Sequence, residues 1–251
     1  MERWQGRVAL VTGASAGIGA AIAEVLVKNG LNVVGCARSV DKIQDLARRL
    51  SNAKGTLYPE KCDLRRPEEI MSLFERIKSR HGGVDICINN AGLAQRAPLL
   101  TGKTELWLNM LQVNILALCI CTRETYNSMK ERGVTDGHII HINSGIGHQY
   151  ANTPGLHFYG ATKHAMRSLL YGLRNEMRKT GNNIRISEIS PGLVETDFIK
   201  QYANEAISKK LFSTQPSLTA EQVANLAVLI LASPPEVEIN DVLVNHTLSK
   251  M

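Results

Sequence analysis

Tyr159 and Lys163 are the residues whose types and spacing best suit acid/base chemistry. If a helix begins near His157, they stand four residues apart and share one helix face. A free tyrosine hydroxyl titrates near about 10, too high for a base at neutral pH, but a neighbouring cation favours the phenolate and lowers that pKa. Lys163 could supply that cation. Alone the pair is a weak signal, because such residues commonly just pack together on a solvated helix face.

A glycine-rich turn near the N-terminus could hold a phosphate. The turn spans residues 13–19 and follows a short apolar run at 7–12. Its glycines let the backbone approach a pyrophosphate, and the helix N-terminus that follows offers free amides and a partial positive charge. The spacing is Gly-x-x-x-Gly-x-Gly, so a tight turn without a ligand stays an alternative. Its place within a βαβ unit favours a dinucleotide site.

The residues after the second apolar run indicate which dinucleotide is bound. That run ends at Ala37 and is followed by Arg38 and Ser39. An NAD site would place an acidic residue here for the ribose hydroxyls, whereas the 2′-phosphate of NADP requires a guanidinium. The sequence therefore favours NADP, with a plain surface arginine as the alternative.

Three further polar positions each allow two interpretations. Asp63 could accept a hydrogen bond from an adenine amino group, or it could cap the helix that Pro67 opens. The run at 89–92, Asn-Asn-Ala-Gly, could let a cofactor lie against the backbone while an amide ties neighbouring strands, or it could be a simple turn. Asn114 lies in an otherwise apolar stretch, where a buried amide needs partners. It is either a structural tie or a holder of ordered water.

Apolar strands alternate with helices along the whole chain. Strands are predicted at 7–12, 32–37, 56–62, 84–89, 138–143, 184–190 and 240–244, and helices at 20–29, 41–50, 67–80, 103–131, 157–179 and 219–232. Strands that are apolar throughout belong to a parallel sheet covered on both faces. The pattern predicts an α/β protein with a three-layer, Rossmann-type doubly wound sheet of about seven parallel strands, in a single domain over 1–251.

The segment 192–216 fits this alternation least well. It follows the carboxyl end of a strand, where doubly wound sheets place their ligands, so it is predicted to be a substrate lid. A plain surface excursion is the alternative. The candidates for the pocket wall are His148, Gln149, Tyr150, Leu193, Phe198, Ile199 and Phe212.

Composition argues against several other classes of function. The net charge is +6, but the basic residues are scattered, so no nucleic-acid or membrane-surface patch is expected. The five cysteines are odd in number and lie mostly in apolar runs, as expected for buried thiols in a reducing compartment. Neither they nor the histidines show ligand spacing, so no metal is predicted.

The sequence shows neither a continuous apolar run of the roughly 18 residues that a membrane span needs nor a signal-peptide pattern at its start. A soluble, cytoplasmic protein is therefore expected. The last three residues, Ser249, Lys250 and Met251, differ at one position from the peroxisomal Ser-Lys-Leu address. Peroxisomal targeting is kept as a minor alternative.

Taken in order, these motifs resemble the short-chain dehydrogenase/reductase family. They are Thr12-Gly13-x-x-x-Gly17-x-Gly19, Asn89-Asn90-Ala91-Gly92, Ser144, Tyr159-x-x-x-Lys163 and Pro191-Gly192, and the resemblance covers nearly the whole chain. It implies hydride transfer between a nicotinamide and a substrate carbon. The stretch between Ser144 and Tyr159 is slightly longer than in many relatives, which would reshape the pocket wall.

The resemblance also implies a role for each site residue. Tyr159 would be the general acid/base, Lys163 would bind the nicotinamide ribose and lower the tyrosine pKa, and Ser144 would hydrogen-bond the carbonyl or alkoxide oxygen. Asn114 would hold a water in the proton relay. The implied cofactor-binding residues are Gly13, Ser15, Gly17, Ile18, Gly19, Arg38, Ser39, Asp63, Leu64, Asn90, Ala91, Gly92, Tyr159, Lys163, Pro191, Gly192, Val194 and Thr196.

A narrower resemblance concerns the substrate. The stretches 1–4, 34–38 and 84–92 are similar to the branch that contains insect NADP-dependent farnesol dehydrogenases and a vertebrate cytosolic ketosteroid reductase. The similarity implies an apolar alcohol or carbonyl substrate, with farnesol as the first expectation and a ketosteroid or general carbonyl substrate as the alternative. A catalytically silent NADPH-binding protein is a distant alternative. Members of the family often form homodimers or homotetramers through two long helices, here near 103–131 and 157–179.

Overall fold

The computed structural model describes residues 1–150 and 153–249, so Lys250 and Met251 of the C-terminal tripeptide lie outside the described residues. Seven parallel strands form one sheet in the order β3-β2-β1-β4-β5-β6-β7. The three-layer doubly wound architecture predicted from the sequence is confirmed. The strands are β1 Val8–Thr12, β2 Asn32–Ala37, β3 Thr56–Lys61, β4 Ile86–Asn89, β5 His138–Ile142, β6 Arg185–Pro191 and β7 Asp241–Val244.

Helices cover both faces of the sheet. The α-helices are α1 Gly17–Lys28, α2 Val40–Arg49, α3 Pro67–His81, α4 Thr104–Leu111, α5 Leu118–Glu131, α6 His157–Arg178, α7 Glu205–Thr214 and α8 Ala220–Ala232. Buried side chains of α1, α2 and α8 form one apolar core with the sheet, and those of α3, α5 and α6 form a second core on the opposite face.

The first strand shows why the strands are apolar at every position. Val8 and Leu10 point into one core, whereas Ala9 and Val11 point into the other, and all four are buried. Successive side chains of a strand alternate between faces, so a strand covered on both sides needs an unbroken apolar run. Strand order reverses beside β1, between its neighbours β2 and β4, and this switch point opens a crevice at the carboxyl ends of the strands.

The long helix predicted at 103–131 is interrupted. Between α4 and α5, residues Gln112–Ala117 form a π-helical turn that carries Asn114. Such turns occur often at functional sites, because the extra residue in the turn re-aims the side chains around it. Neither proline nor glycine marks the interruption in the sequence.

The same stretch, Thr104–Glu131, is the one described helix that is long and apolar enough by composition to span a membrane. Its most apolar 18-residue window has a mean hydropathy of 1.4, although polar residues interrupt every continuous apolar run. The sequence expectation concerned continuous apolar runs, whereas this helix qualifies through hydropathy averaged over the window. A single such helix is weak evidence for a membrane span, since helices of soluble proteins pass the same test. Only 28% of the window is buried within the chain, which leaves an exposed apolar face.

The predicted lid contains helices. It comprises a 3₁₀ turn at Asp197–Gln201 and helix α7. At its base the amide of Glu195 donates to the carbonyl of Leu218, and the amide of Leu218 donates to the carbonyl of Leu193, both at 2.8 Å. These bonds hold the entry and exit of the segment side by side.

Candidate functional site

A cavity of about 1200 Å³ lies at the carboxyl ends of the strands. Its size suits a dinucleotide together with a substrate, since a pocket for one small ligand usually has about 300–1000 Å³. Of the predicted catalytic and cofactor-binding residues, Asn114 alone does not line it. The lining residues include Gly13, Ser15, Gly17, Ile18, Gly19, Arg38, Ser39, Asp63, Leu64, Asn90, Ala91, Gly92, Ser144, Tyr159, Lys163, Pro191, Gly192, Val194 and Thr196.

The glycine-rich turn is packed too tightly for side chains. Gly13 has a φ of 68°, in the left-handed region, and a Cβ there would lie 3.0 Å from the Cα of Ala91. A Cβ on Gly19 would collide with the Gly13 carbonyl and with the side-chain amide of Asn90. That amide donates to the carbonyl of Thr12 at 2.9 Å and so ties the end of β4 to the end of β1, as the strand-tie interpretation expects. The turn delivers the N-terminus of α1 to the cavity, where its free amides can meet a phosphate.

Arg38 and Ser39 line the cavity where β2 ends, and both are exposed. Across residues 1–150 and 153–249 neither a hydrogen bond nor an ion pair engages the Arg38 guanidinium. A solvent-facing guanidinium on a cavity wall suits a phosphate, which accepts paired N–H bonds.

Asp63 lies at the same end of the cavity but is not a helix cap. The residue at the cap position of α3 is Arg66. The Asp63 carboxylate instead accepts hydrogen bonds from Arg65, at 3.1 Å from the backbone amide and 3.0 Å from Nε. These bonds hold the pKa of Asp63 below its usual range. The helix-cap interpretation is therefore wrong, and an adenine amino group would share the carboxylate with Arg65.

Tyr159, Ser144 and Lys163 converge at the other end of the cavity. Tyr159 and Lys163 lie in the first two turns of α6, with Lys163 Nζ 5.9 Å from the centre of the tyrosine ring. Lys163 Nζ donates to the carbonyl of Ile142, the last residue of β5, at 3.1 Å. Ser144 follows β5 and caps the 3₁₀ turn at 145–147, its Oγ accepting from the amide of Ile146 at 3.3 Å.

The electrostatics of this triad differ from the sequence expectation. Burial raises the pKa of Tyr159, with the Ser144 hydroxyl acting in the opposite direction and Tyr202 adding to the rise. Burial also lowers the pKa of Lys163 to about 8, against the opposing charge of Glu188. The lysine is not among the groups that shift the tyrosine. Near neutral pH the structure therefore holds a protonated phenol beside a mostly charged ammonium.

Asn114 is fully buried behind the cavity wall. Its Oδ1 accepts from the amide of Leu93 at 2.8 Å, and its Nδ2 donates to the Leu93 carbonyl at 2.9 Å and to Thr162 Oγ1 at 3.0 Å. The side chain is thus a tie between the π-helical turn, the loop after β4 and α6. These bonds support the structural-tie interpretation of Asn114, and its role in holding a water of the proton relay stays a prediction.

The cavity wall carries apolar and aromatic side chains such as Leu193, Phe198 and Ile199 together with polar ones such as Gln95 and Gln201. His148 does not line the cavity, because its Nε2 lies 2.9 Å from Ser190 Oγ on β6. On α7, Leu211 rather than Phe212 faces the cavity. These two predictions are wrong because side-chain direction changes with each step along the chain. The remaining wall candidates line the cavity as predicted: Gln149, Tyr150, Leu193, Phe198 and Ile199.

Several lining residues were missed from the sequence. Asn143 and Asn245 immediately follow β5 and β7, and the rule that carboxyl ends of parallel strands meet at one edge could have found both. Tyr202 in the lid packs its ring 6.5 Å from that of Phe198, in an edge-on arrangement. No sequence signal distinguishes Tyr202 from other lid residues.

Known proteins share both the sequence and the fold. The chain matches the family described as short chain dehydrogenase over residues 7–206. It is 54% identical to Dehydrogenase/reductase SDR family member 11 of Gallus gallus, covering 98% of each chain, and 38% identical to Farnesol dehydrogenase of Aedes aegypti, covering 96% of each. The closed form of serine dehydrogenase complexed with NADP⁺ superposes with a TM-score of 0.85 at 30% identity, covering 94% of each chain. The chain therefore belongs to the short-chain dehydrogenase/reductase family of oxidoreductases.

Proposed function

We propose that this protein is an NADP-dependent alcohol dehydrogenase/carbonyl reductase that acts on apolar substrates. The observation that carries the proposal is the convergence of Tyr159, Ser144 and Lys163 in a cavity whose far end presents the glycine turn and Arg38. A proton donor, an oxygen-binding hydroxyl and a buried cation stand together on the wall that a carbonyl group would approach.

The residues present fit the cofactor and the reaction. The amides at the start of α1 suit the diphosphate, and the Lys163 ammonium suits the ribose hydroxyls. When bound, the nicotinamide supplies or accepts the hydride. In reduction, Ser144 hydrogen-bonds the carbonyl oxygen while Tyr159 donates its proton to that oxygen. In oxidation, the phenolate of Tyr159 takes the proton of the alcohol.

The choice of NADP rests on the end of β2. No acidic residue stands at Arg38 or Ser39, where NAD enzymes hold the ribose hydroxyls with a carboxylate. The exposed guanidinium of Arg38 offers two N–H groups to a 2′-phosphate. That the related serine dehydrogenase structure is a complex with NADP⁺ supports the same choice.

Farnesol is the first substrate we propose. Near the triad, the cavity is lined by Phe198, whose ring centre lies 6.0 Å from that of Tyr159, and the wall also includes Ile199, Tyr202 and Leu211. Burial of such a surface against an isoprenoid chain is favourable at about 25 cal/mol per Å². The relative from Aedes aegypti is named for this substrate. A ketosteroid or another bulky carbonyl compound is the second candidate, since a wide apolar wall also accepts a rigid ring system.

The assay that tests the proposal follows absorbance of the reduced nicotinamide. Purified protein would be given NADP with farnesol, with a steroid alcohol, or with a simple secondary alcohol, and NADPH with the matching carbonyl compounds. We expect turnover of farnesol with NADP, and no turnover when NAD replaces NADP at equal concentration. Turnover only on the steroid would replace the substrate assignment. Tight NADPH binding without turnover of any compound on the panel would contradict the proposed enzyme activity and support a nucleotide-binding protein instead.

We also propose that the protein forms a homodimer or homotetramer through its long helices. Leu108, Leu111 and Leu116 on the α4–α5 stretch are 52%, 41% and 46% exposed, and Tyr171 on α6 is 70% exposed. Burial of these side chains between copies would remove an apolar face from water. Light scattering on the purified protein should give the mass of two or four chains, and a stable monomer at micromolar concentration would contradict this assignment.

A further inference from the structure

Glu188 is a buried carboxylate on β6 that the proposed reaction does not use directly. Its side chain is fully buried, and its Oε1 accepts from Ser190 Oγ at 2.8 Å. His148 Nε2 and Arg167 Nε lie 3.4 and 3.7 Å from the same oxygen. The other oxygen, Oε2, is buried without a hydrogen-bond partner among the described residues. A buried charge with one unsatisfied oxygen is costly, so its presence calls for a physical explanation.

Glu188 lies beside the strand end that anchors Lys163. In the β5–β6 pairing it is opposite His141, one residue before Ile142, whose carbonyl accepts the Lys163 ammonium. Neighbouring strands are about 4.8 Å apart. Arg167 is four residues beyond Lys163 on α6, and because residues at that spacing share a helix face, both cations point toward this part of the sheet. The carboxylate and the ammonium therefore belong to one buried region.

We propose that Glu188 is a positioning residue that acts through Lys163, keeping its ammonium charged in a site that excludes water. The proposal rests on the proposed function, in which the charged lysine binds the cofactor ribose. Lys163 is 3% exposed, and across the part of the chain that the structure describes, no carboxylate lies within 4.0 Å of its Nζ. Burial alone would favour the neutral amine. The field of a buried carboxylate beside the strand end that anchors Lys163 opposes that effect, and its influence on the Lys163 pKa is upward.

The groups that face Glu188 leave its charge available to the lysine. Burial lowers the pKa of His141 on β5 to about 3, so that ring is neutral. Asp241, opposite Glu188 on β7, is paired with Arg174 at 3.0 Å. Arg167 is 41% exposed on its side chain, so solvent screens its charge. Arg174 is also buried, but its guanidinium is paired with Asp241, and the His148 ring that lies 3.4 Å from Glu188 is 17% exposed.

Substitution Glu188→Gln tests the proposal, because it keeps the shape and removes the charge. Protein with ¹³C-labelled lysine side chains would be titrated by NMR, with the Lys163 signal identified by its absence in Lys163→Met. We expect the pKa of Lys163 to fall by about one unit in Glu188→Gln. Asp241→Asn is the matched control, since it removes a carboxylate from the adjacent strand at the same register. An unchanged Lys163 pKa in well-folded Glu188→Gln would assign Glu188 a purely structural role and overturn the proposal.

Enzyme kinetics give a second readout. In carbonyl reduction, a lysine that loses its proton at lower pH should move the alkaline decline of kcat in Glu188→Gln to lower pH by about the same amount. Glu188→Asp should restore most of the wild-type profile. If Glu188→Gln fails to fold, Glu188→Asp provides the test. The pKa of Lys163 in this variant must lie close to the wild-type value, and a large fall of that pKa contradicts the proposal. The NMR titration needs neither cofactor nor turnover, so failure of the proposed function would show separately as absence of NADPH binding.

Discussion

Substitution Tyr159→Phe is expected to lower kcat by roughly 10²–10⁴-fold, the contribution typical of a positioned general acid or base. The change removes only the hydroxyl, while the ring keeps its packing 6.0 Å from Phe198. Initial rates and NADPH binding by fluorescence should be measured together, and binding should stay within a few-fold of wild type. Tyr58→Phe is the control, because this tyrosine lies on β3, outside the cavity and outside the proposed subunit interface.

The pH dependence of carbonyl reduction and of alcohol oxidation gives a second test of the acid/base role of Tyr159. Burial raises the pKa of Tyr159, so its hydroxyl keeps its proton through neutral pH and can serve as the acid in reduction. Alcohol oxidation needs the phenolate, so its rate should rise as pH increases from neutral toward the alkaline range. Wild-type rates in Tyr159→Phe would remove this tyrosine from the chemistry. If Tyr159→Phe loses affinity for NADPH but keeps the rate of the chemical step, the tyrosine has a binding role instead.

The strands could be predicted from the sequence because burial on both faces leaves an unbroken apolar run. The strand predicted at 32–37 matches β2 in full, and that at 240–244 differs from β7 by one residue. The lid helix α7 could not be predicted in the same way. The 3₁₀ turn that precedes it is held by a distant contact, the bond from the amide of Ala94 to Gln201 Oε1 at 3.1 Å, which connects residues far apart in the sequence.

The candidate site was predictable in position more than in side-chain detail. Ser144 and Arg38 each follow a strand, and parallel strands bring such residues to one edge. Which way a side chain turns depends on local geometry that spacing does not encode. Asn114 therefore became a tie because a π-helical turn directs it toward Leu93. The raised pKa of Tyr159 depends likewise on burial by neighbouring segments, which the four-residue spacing to Lys163 does not report.

Substitution Arg38→Ala should raise the Michaelis constant for NADP by roughly 10- to 100-fold, because hydrogen bonds to a charged partner contribute about 1.5–3 kcal/mol. The Michaelis constant for NAD should change little, since NAD lacks the 2′-phosphate that the guanidinium would bind. The cofactor preference would then narrow or reverse without loss of the chemical step. Steady-state kinetics with both cofactors at a fixed alcohol concentration measure this directly.

Arg48→Ala is the matched control for this experiment. Arg48 lies on α2, carries the same charge and is 75% exposed on its side chain, but it does not line the cavity. If the loss of a positive charge acted only through the overall field of the protein, both variants would weaken NADP binding to a similar extent. Equal effects of Arg38→Ala on the two cofactors would show that the guanidinium does not contact the phosphate. A selective effect would assign Arg38 as the residue that distinguishes NADP from NAD, since Ser39 alone offers only a neutral hydroxyl to a doubly charged group.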